Sequence, residues 1–572
     1  MLRYLKKYRM ECICAPLFKM FEATLELFVP LVMASIIDRG IGAGNAGHIW
    51  RMCGVLVLLG IAGLAAAITA QYFAARSATG FAADVRHALF EKLAGLSFSD
   101  VDRLGTSAMI TRMTSDVNQA QTGVNMVLRL VLRSPFVVFG AMVMAFTIDA
   151  RIARIFAIVI VALMIVTYAI MALNIPMMRI VQRQLEKVLE ATRENLTGAR
   201  VIRAFRREDA EYAEFVSRNR TLTRLQLRAG RVSALLNPLT YVIINIAVIA
   251  LVRQGAIRVD AGILTRGQVV ALYNYMSQIL VELIKFAGLT ITINKAWASW
   301  KRVADVLAME PAMADGPGAA PAADAPAVEF DHVSLTYPGA GNPSLMDICF
   351  TALRGQTVGI IGGTGAGKTS LASLIPRFYD VTEGSVRVFG ADVRSYNQQA
   401  LRQRVGFVMQ KTVLFKGSIR DNLRWGLPEA DDDALMAAAN TAQAGEVVAF
   451  KGGLDGMIEQ NGANLSGGQR QRLTVARALV RRPEILVLDD SASALDMVTD
   501  ARLRAAIAGL DYNPTVFIIS QRTASIMGAD QILVLDDGRL VGKGTHSELM
   551  ERCPVYKEIY DSQFGGGEVR TA

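Results

Sequence analysis

The sequence predicts a multidomain chain: an all-α membrane domain of six helices, then an α/β domain built around a phosphate-binding loop. Three observations carry this. Mean hydropathy is +0.32, and 52% of the 572 residues are hydrophobic, which sets the chain apart from purely soluble proteins. Apolar segments near 12–38, 52–75, 134–149, 153–175, 236–256 and 268–291 are each long enough to cross about 30 Å of hydrocarbon, allowing a few polar positions. Beyond residue 327, short β-branched runs alternate with helical stretches, the pattern of a largely parallel sheet covered by helices.

The chain opens on Arg3, Lys6, Lys7 and Arg9 before an apolar stretch, as a secretory leader does. Lys19, Glu22 and Glu26 interrupt that stretch and no small-residue cleavage site follows, so a first span that stays is expected. Spans two and three, and again four and five, are joined by long polar helical stretches. The run from 178 to 231 contains no proline and should turn back near Gly198, each half projecting about 40 Å beyond the lipid. These projections are rich in Arg while the other connections are short. The positive-inside rule therefore places them, the N-terminus and the C-terminal half in the cytoplasm of a multi-pass protein of the cell membrane. Residues 1–309 form the expected membrane domain, 310–327 (EPAMADGPGAAPAADAPA) a Pro/Ala/Gly linker, 328–564 the α/β domain and 565–572 a loose tail.

A net charge of +10 is spread over both halves, with no basic patch interleaved with aromatics, so a basic membrane face explains it and nucleic acid is not an expected partner. The five cysteines (12, 14, 53, 349, 553) have neither disulfide-framework nor metal-ligand spacing.

GGTGAGKT, residues 362–369, fits G-x-x-x-x-G-K-[ST], with an apolar strand before it and an amphipathic helix after it. Gly362, Gly363, Thr364, Gly365, Ala366, Gly367 and Ser370 belong to a loop whose N–H groups and helix start cradle phosphates. Lys368 would reach the β- and γ-phosphates and the Thr369 hydroxyl a magnesium ion. ILVLDD, 485–490, reads as a strand ending in acid, with Asp489 the expected second contact to that ion.

LSGGQ at 465–469, about a hundred residues after the phosphate loop and just before the acidic strand, resembles the ATP-binding cassette (ABC) family. Six spans ahead of one cassette resemble its exporter branch, and the resemblance covers essentially the whole chain. It implies ATP and Mg²⁺ as cofactors, adenine stacking on Tyr337, and a role for Gln410 in contacting the metal and the membrane domain. It also implies a loop, SALD at 493–496, that crosses between paired cassettes, and short coupling helices at 111–119 and 198–205. In this family the ATP lies between the phosphate loop of one subunit and the signature of the other, so Ser466, Gly467, Gly468 and Gln469 would serve a partner's nucleotide.

Two positions depart from the pattern. The residue after the magnesium aspartate is normally glutamate and here is Asp490, and Gln521 stands where the family carries a histidine facing the γ-phosphate. A placed general base contributes about 10²- to 10⁴-fold, so this site should bind ATP and cleave it slowly. The expectation is one subunit of a heterodimeric exporter, its partner a second half-transporter carrying the missing Glu and His. The alternatives are a slow homodimer, an exporter-shaped importer and an ATP-gated channel or regulator.

In the membrane half, Asn274, Gln278, Glu282 and Lys285 share one face of the sixth span, and Lys19, Glu22 and Glu26 form a stripe on the first. Charges at membrane depth line cavities or form ion pairs between helices, so both stripes are candidates for a substrate pathway. A Met- and Leu-rich pathway of mixed charge suits small hydrophobic or amphipathic cargo.

Overall fold

The computed structural model describes residues 2–564; the expected tail, 565–572, lies outside them. Contacts divide the chain into two units: residues up to Ala94 with Ser107–Met309, and Gly95–Thr106 with the residues from Glu310 onward.

Among the described residues of the chain, six helices are long and apolar enough to cross a membrane: α1 (Arg3–Ile41), α2 (Ala46–Ala94), α3 (Thr106–Ile148), α4 (Ala150–Thr197), α5 (Glu208–Asp260) and α6 (Arg266–Ala308). Helix α2 shows why they sort as they do. Val57, Leu58, Ile61, Leu64 and Ile68 lie 61–66% exposed, an apolar stripe that only lipid or another apolar surface satisfies. Ala66, Ala70, Ala74 and Ala78 are buried at a four-residue spacing, which lets α2 approach α1 closely. The single residue between α3 and α4, Asp149, accepts from the N–H groups of Arg151 and Ile152 at 2.8 and 3.0 Å, capping α4 as the chain reverses.

The two expected coupling helices fare differently. Ala199–Ala204 is a separate short helix directly after Gly198 closes α4. The stretch 111–119, by contrast, runs inside α3, where buried Asp116 takes two hydrogen bonds from Arg302 at 2.5 and 2.9 Å. The separate element ahead of α3 is Phe98–Leu104, begun by a Ser97/Asp100 capping box and stopped by Gly105 at φ 73°.

The second unit carries strands β1 (Val328–Leu335), β2 (Leu345–Ala352), β3 (Thr357–Gly362), β4 (Glu383–Val388), β5 (Ala391–Asp392), β6 (Val405–Val408), β7 (Gly417–Ser418), β8 (Met457–Ile458), β9 (Ile485–Asp489), β10 (Thr515–Ile519), β11 (Gln531–Asp536) and β12 (Arg539–Gly544). An antiparallel sheet runs β2-β1-β4-β5, β7 pairs with β8, and a six-stranded sheet runs β12-β11-β3-β10-β9-β6, parallel except for β12. Strands β9 and β10 are buried at every position, as covering of both faces requires. Residues 310–327 form no helix or strand, yet they are not free: the N–H groups of Gly316, Gly318 and Ala319 donate to Tyr396 and Ser395 carbonyls at 3.0 Å.

Candidate functional site

Strand register builds the site. Ile519 pairs with Asp489 on one side and Ile360 on the other, so the carboxyl ends of β9, β10 and β3 lie level. Open parallel sheets bind ligands at that edge. The phosphate loop leaves β3 there and enters helix α7 (Lys368–Leu374). Gly367 closes the loop at φ +93°, and a Cβ on it would sit 2.6 Å from the Ser344 carbonyl oxygen, so only glycine fits. A Cβ on Gly362 would lie 2.0 Å from the Leu535 carbonyl oxygen.

A cleft of about 230 Å³ results, lined by Thr364, Gly365, Ala366, Gly367, Lys368, Thr369 and Ser370, and by Gln410, Asp489, Asp490 and Gln521. The structure thus brings together the loop and the acidic, glutamine and switch positions that the sequence singled out. Gly362 and Gly363 enter through their carbonyls, which accept from the Lys368 ammonium at 2.9 and 2.6 Å. Burial pulls the Lys368 pKa below its ordinary value, partly offset by Asp490 and Asp489. Burial likewise raises the Asp489 carboxyl, against the Thr369 hydroxyl that donates to it at 3.1 Å. Thr369, Asp489 and the Gln410 amide form an all-oxygen donor set of the kind a hard cation such as Mg²⁺ takes.

Asp490 stands at φ +46°, a conformation uncommon for a non-glycine residue. Its carbonyl accepts from Gln471 at 3.2 Å and Ser493 at 2.9 Å, its N–H donates to Ile519 at 3.0 Å, and its carboxylate accepts from Gln410 at 3.3 Å. The position is therefore over-determined by its surroundings. Gln471 was not legible as functional; its helical period alone marks it as an ordinary residue of helix α8 (Gly467–Leu479).

The signature forms the start of α8, outside the cleft. The Ser466 hydroxyl accepts from the Gln469 N–H, and the Gln469 side chain accepts from the Ser466 N–H at 2.9 Å, a capping box that uses both side chains locally. What remains to face outward is a helix N-terminus with two glycines, a ready site for a phosphate. Tyr337, half-buried, donates to the Ser370 hydroxyl at 3.0 Å and meets Tyr379 edge-on at 4.9 Å, leaving its ring beside the loop. Beyond β10, Arg522 donates to the carbonyls of Leu495 and Ser493 at 3.2 and 3.3 Å, tying the Gln521 segment to the SALD loop.

Residues 12–283 match the ABC transporter transmembrane region and residues 345–493 the ABC transporter cassette. The chain is 35% identical over 567 residues to the ABC transporter ATP-binding protein YfiB of Bacillus subtilis, covering 99% of this chain and 98% of that one. It is also 35% identical over 570 residues to Rv1273c of Mycobacterium tuberculosis, covering 98% and 97%. This chain belongs to the ABC transporter family. Its fold matches a bacterial Atm1-family ABC exporter solved with ATP bound, at a TM-score of 0.81 and 24% identity over 99% of each chain.

In the membrane unit of this ABC transporter, the pathway candidates join through a residue the sequence did not flag. Arg133, on α3, donates to Glu282 on α6 at 2.5 Å and to Glu26 on α1 at 2.7 Å. Ser134 and Lys285 also donate to Glu282, at 2.9 and 3.0 Å. Glu282 is thereby tied into a three-helix network with its side chain only 4% exposed. Glu22 instead pairs with Lys19 within α1 at 2.5 Å. Asn274 and Gln278 lie half-buried on α6, where the Gln278 carbonyl oxygen is buried without a hydrogen-bond partner among the described residues. Arg133 was masked because it opens an apolar run and reads as an ordinary basic span end.

Proposed function

We propose that this ABC transporter is one subunit of an ATP-driven exporter. Its own phosphate loop binds Mg²⁺-ATP but cleaves it slowly, and its signature completes a faster site on a second half-transporter. The observation that carries this is the composition of the cleft: every element for binding is in place around Lys368, Thr369 and Asp489, while the two positions for turning over the γ-phosphate hold Asp490 and Gln521. A carboxylate one methylene short stands back by about 1.5 Å from where a glutamate would polarise water. In this reading Tyr337 stacks adenine, Gln410 reads the metal, and Ser466, Gly467, Gly468 and Gln469 present their helix start to the partner's nucleotide.

The cassette and N-terminus are cytoplasmic, from the Arg-rich projections. The cargo is a small hydrophobic or amphipathic compound, and Asn274 and Gln278, half-buried on α6 beside the Arg133 network, face its route with Glu22, Glu26, Glu282 and Lys285 nearby.

ATPase turnover of the purified chain alone, of the chain with its co-expressed partner, and of both with Asp490→Glu and Gln521→His together tests this. A nearly inactive chain, an active pair, and a gain of about tenfold or more from the paired substitution are expected. Equal turnover by the chain alone would sink the division of labour and leave a homodimer in which Asp490 is the working base. The hydrogen bond from Gln410 to Asp490 is the feature that favours that second reading.

A further inference from the structure

The C-terminal helix Pro554–Phe564 reaches the catalytic edge through one side chain. The Gln563 amide nitrogen donates to the Gln521 carbonyl at 2.7 Å. Its amide oxygen accepts from the Thr523 N–H at 2.9 Å and from the Thr523 hydroxyl at 2.7 Å. One side chain therefore brackets the three residues that follow Ser520, donating at one end and accepting at the other. Among side chains of this length only an amide does both.

The clamp is held firmly. Tyr556, Ile559 and Gln563 fall at i, i+3 and i+7, one face of the helix. Tyr556 is fully buried with its hydroxyl 2.8 Å from His546 Nδ1, and Ile559 packs on the same core. On the receiving side Thr523 is fully buried, so its N–H and hydroxyl need the partner that Gln563 supplies. The Arg522 side chain between them is already committed to Ser493 and Leu495. The backbone that carries Gln521 is thus fixed while the Gln521 side chain borders the cleft.

We propose that Gln563 is a positioning residue for the γ-phosphate end of the nucleotide site, setting where the Gln521 side chain stands. The inference rests on the reading that Gln521 faces the γ-phosphate. It assigns to the C-terminal helix a part in distinguishing ATP from ADP.

The test uses the full chain in detergent, with fluorescent ATP and ADP analogues titrated against wild type, Gln563→Ala, Gln563→Glu and Gln521→Ala. Gln563→Glu keeps the length of the side chain and the acceptor for Thr523 but replaces the donor by a carboxylate oxygen that repels the Gln521 carbonyl, so it breaks that one contact while the packing stays. Both Gln563 variants should lower the ratio of ATP to ADP affinity by about 3- to 10-fold, the loss of one or two hydrogen bonds, with ADP affinity unchanged. An equal fall for both nucleotides, or no change in Gln563→Glu, would overturn the inference. If Gln521→Ala lowers the ratio and neither Gln563 variant does, the site reading stands and the clamp alone is wrong. If Gln521→Ala leaves the ratio at the wild-type value, the placement of Gln521 fails and the clamp proposal fails with it.

Discussion

The Gln410 amide donates to the Asp490 carboxylate at 3.3 Å, so the shortened acid is held by the loop that also faces the metal position. An acid held this way still has a free lone pair for water. Asp490→Asn keeps an acceptor for Gln410 and removes the base. Residual hydrolysis at this chain's own site should fall at least about tenfold with ATP affinity little changed. The check is phosphate release from the pair in which the partner's own phosphate-loop lysine is replaced; unchanged release would mean Asp490 is not the base.

Asp489 predicts a trade between stability and metal binding. Burial raises its folded-state pKa, so its contribution to stability is full at low pH and is lost as pH rises through the raised value. Magnesium-dependent nucleotide affinity runs the opposite way, because the ligand is the ionised form. Asp489→Asn should therefore raise the melting midpoint of the metal-free protein by about 2–4 °C near neutral pH while removing the magnesium dependence of ATP binding. A lower midpoint would contradict the buried-charge argument.

At Tyr337 the ring and the hydroxyl can be separated. Stacking of a base on an aromatic ring contributes about 1–3 kcal/mol, so Tyr337→Ala should weaken ATP binding by about 5- to 150-fold. Tyr337→Phe loses only the bond to Ser370 and should stay within about threefold. Equilibrium titration of each variant decides it, and equal losses would mean that the hydroxyl rather than the ring is what matters.

Gly467 can accept a side chain without disturbing its own fold, since a Cβ there meets only the Ala494 Cβ at 3.6 Å. Gly467→Asp places a negative charge at the helix start offered to a phosphate. The variant should fold with a normal melting midpoint and cut ATPase of the assembled transporter by about 10²-fold or more. Wild-type turnover would show that the signature does not serve a nucleotide.

The membrane network makes a stability prediction. Arg133→Ala takes from buried Glu282 its closest cation and leaves it to Ser134 and Lys285, a loss of about 1.5–3 kcal/mol, whereas replacing both Arg133 and Glu282 by Met removes the buried carboxylate as well. Thermal unfolding in detergent should show the single variant well below wild type and the double variant largely recovered. A double variant as unstable as the single would mean that the charges act separately.

How far the sequence reaches depends on whether a feature is local. GGTGAGKT, ILVLDD and LSGGQ are contiguous, and each carries its own backbone requirement, so the loop, strand and helix start they form were readable from the sequence. The six spans were readable because hydrocarbon thickness sets one length for all of them. Arg133 and Glu282 are 149 positions apart, and no periodicity links them. Gln471 and Gln563 reach the catalytic edge only through the packing of their helices. The separate short helix was missed by punctuation: the capping residues Ser97 and Asp100, with Gly105 as the stop, mark Phe98–Leu104, whereas the family resemblance drew attention to 111–119, which continues a longer helix.

The grouping of Gly95–Thr106 with the catalytic unit has a practical result for anyone dissecting this transporter. Phe98 stacks on Phe378 with ring centroids 4.3 Å apart, and the Tyr379 hydroxyl donates to Asp102 at 2.6 Å. Tyr379 in turn abuts Tyr337. A fragment cut to begin at residue 328 would strip a ring and a carboxylate from beside Tyr379 and its neighbour Tyr337, leaving a greasy patch in water. Such a piece should self-associate and misreport nucleotide affinity. Supplying residues 95–106 as a free peptide should shield the patch and bring the affinity back toward that of the intact chain.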